Sequence, residues 1–97
     1  MAPRLRRLAL RGVTYAGVPM PGATLDYWED AQGPARWSVR LRTRMCPALD
    51  GGELAGETSS GQSVSGQVVI VDRQAGEAGR RDIVVVFRGV GLLDGLG

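Results

Sequence analysis

The chain has 97 residues, a mass of 10.3 kDa and a net charge of +2, which bounds it to one module with a single hydrophobic core. It contains no histidine, lysine or asparagine and one cysteine, Cys46, so histidine-based triads, imidazole metal sites, Schiff-base lysines and intrachain disulfides are all excluded. Glycine and valine are over-used, at 15 and 11 residues, a combination that favours short strands joined by tight turns.

Read in chain order, Arg4 to Gly12 carries a mixed pattern. Leu5, Leu8 and Ala9 fit a helix face, whereas Leu8 and Leu10 flanked by Arg7 and Arg11 alternate as on a strand, and the strand is the expectation. Val13 to Ala16 is a second short strand, because Gly12, Gly17, Pro19, Pro21 and Gly22 interrupt the chain on either side. Thr24 to Trp28 reads as a strand ending in the acidic turn Glu29 to Pro34. The next segment alternates most clearly: Ala35, Trp37, Val39, Leu41 and Thr43 on one face, Arg36, Ser38, Arg40, Arg42 and Arg44 on the other. These two strands form an expected hairpin whose acidic bend is placed to neutralise part of the arginine row.

After Pro47 and Gly51-Gly52, a strand over Glu53 to Thr58, a turn over Ser59 to Gln62 and a long strand over Ser63 to Asp72 follow, with Gly66 marking a bulge or a close approach of backbones. Residues 73 to 81 lack apolar periodicity and read as a mobile hairpin loop. Asp82 to Arg88 is the last strand, and Gly89 to Gly97 reads as a glycine- and leucine-rich tail. The sum is an all-β chain: one domain over residues 1 to 97, an antiparallel β-sandwich or small β-barrel of about six or seven strands.

Both final strands are apolar on two sides. Val69 and Val71 on one, and Val84 and Val86 on the other, have opposite parity to the core-facing residues, and each valine left exposed forgoes roughly 1.5 to 3 kcal/mol of burial. Another subunit or the chain's own N-terminal segment is expected to cover them. Leu92 and Leu93, with Leu96 beside them, are candidate contact residues in the tail.

Charge is divided along the chain. Residues 1 to 44 hold eight arginines against three acids, and residues 45 to 97 hold four against seven. On one domain this produces a basic face for nucleic acid, two complementary faces by which copies bind, or a scatter with no consequence. Arg36, Arg40, Arg42 and Arg44, with Tyr15, Tyr27, Trp28 and Trp37 near in sequence, have the residue types of a single-strand-binding surface, but Trp37 has the wrong parity to interleave with them. Asp26, Glu29 and Asp30 lack calcium-loop spacing and read as a solvated turn. Gly89-Val90-Gly91 lacks the third glycine and the helix of a dinucleotide fingerprint. No catalytic residue, metal or cofactor is assigned.

The stretch Gly61 to Val71, a polar loop, and Val84 to Leu93 resembles the closing hairpin of small β-sandwich virion proteins of tailed phages, tail-tube subunits and related tail or head components. The resemblance implies assembly into rings or lattices without catalysis. The expected function is therefore a non-enzymatic interaction module that self-assembles or docks on a larger complex. It would use Val69, Val71, Val84, Val86, Leu92 and Leu93 for apolar contact and Arg36, Arg40, Arg42 and Arg44 for charged contact. The alternative is a small nucleic-acid-binding barrel using the same arginines. No segment is apolar enough to span a membrane as a helix, and the basic N-terminus lacks the apolar run and cleavage site of a signal peptide. A cytoplasmic or virion location, with a protein partner and no small-molecule substrate, is the expectation.

Overall fold

The computed structural model describes residues 4–29, 36–44, 50–75 and 83–95. Seven strands run through them: β1 (Arg4–Tyr15), β2 (Val18–Pro19), β3 (Ala23–Glu29), β4 (Arg36–Thr43), β5 (Gly51–Thr58), β6 (Ser63–Ala75) and β7 (Ile83–Asp94). All neighbours are antiparallel, in the order β2-β1-β3-β4-β7-β6-β5, and an additional β1–β5 pairing closes six of the strands into a barrel. β2 is a short extra strand, paired through Thr14↔Pro19 and Tyr15↔Val18 on the edge of β1 that β3 takes from Arg4 to Leu10.

Alternation decides which side of each strand is wet. On β4, Trp37, Val39, Leu41 and Thr43 are buried while Arg36, Arg40 and Arg42 are exposed. Leu10, Val13, Tyr15, Leu25, Leu54, Val64, Val68, Val85 and Phe87 fill the interior with them, and Tyr15 and Phe87 meet with ring centroids 4.9 Å apart. The Trp37 indole lies across the barrel toward β6 and β7, and its Nε1–H donates to the Gly91 carbonyl at 3.1 Å. A Cβ on Gly66 would stand 2.6 Å from Trp37 Cζ2, and one on Gly89 would fall inside the ring's van der Waals envelope. Gly66 also lies in the register irregularity between Ser65 and Gln67, so the bulge and the close approach expected there coincide.

Several boundaries differ from the sequence expectation. Gly12 does not end a strand: at φ +59° it sits within the register shift between Arg11 and Thr14 of the β1–β5 pairing, a bulge that lets β1 bend and continue to Tyr15. The chain reverses instead at Ala16 and Gly17, both at positive φ, a two-residue hairpin turn between the paired Tyr15 and Val18. Arg73, Gln74 and Ala75 belong to β6, in register with Val85, Val84 and Ile83, so the expected loop begins no earlier than residue 76. The expected tail is strand through Asp94, because Gln67↔Val90 and Ser65↔Asp94 continue the β6–β7 ladder. Asp30, Ala35, Cys46, Leu96 and the 76–81 segment lie outside the described residues.

Candidate contact surface

The hairpin of β3 and β4 forms in register from Ala23↔Leu41 to Trp28↔Arg36. Among the described residues its acids, Asp26 and Glu29, do not serve the arginine row. Asp26 accepts from Arg7 Nε at 2.8 Å and Glu29 from Arg6 Nη1 at 3.1 Å, so β1 takes both carboxylates. Asp26 is almost buried on the outer side of the sheet, and its hydrogen bond and charge raise the Arg7 guanidinium further above its ordinary value. Among the described residues no three carboxylate or cysteine side chains are grouped to hold a metal ion.

Arg36, Arg40, Arg42 and Arg44 are exposed, and with Arg88 they form no ion pair among the described residues. Strand register then brings together what the sequence holds apart. Across β4 and β7, Arg40 pairs with Val86 and Arg42 with Val84, and Ser38 with Arg88. Across β7 and β6, Val86 pairs with Asp72, Val84 with Gln74 and Arg88 with Val69. The outer wall is thus a checkerboard of guanidinium and isopropyl groups, with Val69, Val84 and Val86 half-buried. Arg40 and Arg42 are exposed beside these half-buried valines. Asp72 accepts from Gln74 Nε2 at 2.7 Å.

Among the described residues the N-terminal segment does not roof these valines. β1 is seated between β3 and β5, on the opposite arc of the ring from β7. Val71 is the extra residue of the irregularity between Ile70 and Asp72, and 53% of its surface is exposed. Leu92 is more open, at 72%, whereas Leu93 points into the core at 8%, which removes it from any contact surface. The parity flip between these neighbours follows from the tail being strand. A shallow groove of about 490 Å³ flanks the wall, lined by Thr24, Arg40, Arg42 and Val84 among others.

Of the four aromatics near the arginine row in sequence, Tyr15 and Trp37 are core residues and Tyr27 packs against the core. Trp28 alone has outward parity, in line with Leu5 on β1 and Arg36 on β4. The Trp28–Arg36 pair rests on the register between β3 and β4, which alternation within either strand does not give.

The outer side of β5, which faces away from β4, carries the other sign. Glu53, Ala55 and Glu57 point outward from β5, beside Gln67, Ser65 and Ser63 of β6. Arg11 of β1 donates to Glu57 at 2.8 Å across the closing seam, and Arg73 binds Asp50 near one end of the barrel. Burial pushes the Tyr15 phenol above its ordinary value at that end; the Asp50 charge adds to the shift and Arg73 opposes it. Comparison with protein-family models, curated proteins and solved structures gives no match to the chain.

Proposed function

We propose that the chain is a non-enzymatic contact module that docks through the outer wall of β4 and β7 onto an acidic protein surface, as one member of a larger assembly. The observation that carries this reading is the register that seats Arg40 beside Val86 and Arg42 beside Val84. Guanidinium groups without a carboxylate partner among the described residues supply bidentate hydrogen bonds, and the valines between them supply apolar area that gains by losing water. A partner matched to both would be bound with a defined orientation.

A second reading, binding of single-stranded nucleic acid, is favoured by the outward Trp28 next to Arg36. A stacking platform uses successive rings along a charged groove, and here one outward ring stands against three turned inward. The valine content of the wall suits a protein partner better.

Fluorescence anisotropy separates the two readings. Labelled poly-glutamate and labelled oligothymidylate of equal length are titrated with the wild type and with Arg40→Gln/Arg42→Gln, each at about 50 and about 200 mM salt. The docking reading expects poly-glutamate binding that the double variant loses. Oligothymidylate binding at least about tenfold tighter than that of poly-glutamate, falling steeply with salt, would replace it with the nucleic-acid reading.

A further inference from the structure

We infer that the acidic surface taken by this wall is the β5 side of a second copy of the chain, so that copies add head to tail; the inference rests on the docking role just proposed for β4 and β7. In the ring β1-β3-β4-β7-β6-β5, β4 and β5 are three strands apart in either direction, so their outer faces look away from each other. One is basic: Arg36, Arg40 and Arg42, with Arg88 on the adjacent strand, are exposed and outside every ion pair among the described residues. The other carries Glu53 and Glu57 on β5, with Asp94 beyond it across β6, against one guanidinium, that of Arg11, which is already held by Glu57.

The two short dimensions of the molecule are 25 and 24 Å, about three Debye lengths at physiological ionic strength, so solvent ions attenuate the field of the β4 face before it reaches that of β5. The acidic face is also shallowly indented. A groove of about 660 Å³ runs over it, lined by Arg11, Glu53, Glu57 and the small residues Ala55, Ser63 and Ser65. Ser65 is in register with the exposed Asp94, which adds a carboxylate at the groove's side. Glu53 forms no ion pair among the described residues and is placed to accept a guanidinium from outside. A two-fold contact of like with like would set arginine against arginine or carboxylate against carboxylate, at a Coulombic cost. Pairing the two different faces joins opposite charges and leaves one free face at each end, the geometry of a ring or an open stack.

The test uses two neutralising variants of the whole chain, Arg40→Gln/Arg42→Gln and Glu53→Gln/Asp94→Asn, whose folding is checked by circular dichroism and thermal melting. Sedimentation velocity is expected to show wild-type mass rising with concentration and falling with salt. Each variant alone associates at least about tenfold more weakly, and an equimolar mixture stops at a dimer, because only one intact face of each sign remains. A wild type that stays monomeric at millimolar concentration and low salt overturns the inference. So does association that survives in Glu53→Gln/Asp94→Asn. Poly-glutamate binding distinguishes the two levels: if it persists in the wild type and disappears in Arg40→Gln/Arg42→Gln, the docking wall stands and only the identity of its partner falls; if the wild type does not bind it, both fall.

Discussion

The Trp37 ring occupies the space in which a side chain at Gly89 would stand. Residue 89 faces the interior from β7, two residues past the buried Phe87, so any Cβ there meets indole carbons rather than the flexible end of a side chain. Trp37 is in turn held by its hydrogen bond to Gly91, and cannot swing away without leaving that donor unsatisfied.

Gly89→Ala is therefore expected to destabilise the barrel by about 1–3 kcal/mol through overpacking, measured by urea denaturation. Combining it with Trp37→Leu should recover part of that loss relative to the sum of the single changes. Simple additivity of the two would show that the ring and the missing Cβ do not compete for the same space.

The two leucines near the end of β7 give a sharper contrast. Leu93→Ala removes a side chain that is 8% exposed and should cost about 2–5 kcal/mol. Leu92→Ala, at 72% exposure, should stay within about 0.5 kcal/mol of wild type under the same conditions. Equal effects would mean that the segment is a tail and not the continuation of a strand.

Backbone conformation makes opposite demands at Gly12 and Ala16. Gly12, at φ +59° with open space around it, should lose about 1 kcal/mol on change to alanine from strain alone. Ala16, at φ +52°, already bears that strain, and Ala16→Gly should raise the midpoint of thermal unfolding by relieving about 1 kcal/mol. A fall in the midpoint for Ala16→Gly would contradict the turn geometry between Tyr15 and Val18.

Alkali should weaken the fold through Tyr15. Its phenol is raised by burial and so keeps its proton longer when folded than when unfolded. The resulting stabilisation is complete below the unfolded value, about pH 10, and declines as pH climbs through the folded one. Thermal melts of wild type and Tyr15→Phe across this range should show the wild type losing stability relative to the variant as pH rises. A constant gap between the two would exclude Tyr15 as the titrating group.

How far these features were legible in the sequence depends on how local their causes are. The strict alternation of β4 announced both its buried row and its arginine row, since period two needs no knowledge of neighbours. Glycines were harder to read. Gly12 bends a strand and Gly17 turns one, yet both look alike as letters; Gly89 and Gly91 read as tail punctuation, although one makes room for Trp37 and the other offers it a carbonyl. The seating of Arg40 beside Val86 depends on register between segments far apart in the chain, which alternation within either segment does not give. Closure of β1 on β5 was invisible for the same cause, as was the transfer of Asp26 and Glu29 to arginines of β1.

That closing seam governs how the molecule is born. Leu10 must find Thr58, and Val39 must find Phe87, before the ring has no bare edge, so most of the chain has to leave the ribosome first. Until then the nascent polypeptide exposes unpaired margins on two strands, and folding dominated by such distant partners falls in the slow, millisecond-to-second regime. A synthesis stalled before Ile83 would leave β4 without its neighbour, an open template for aggregation.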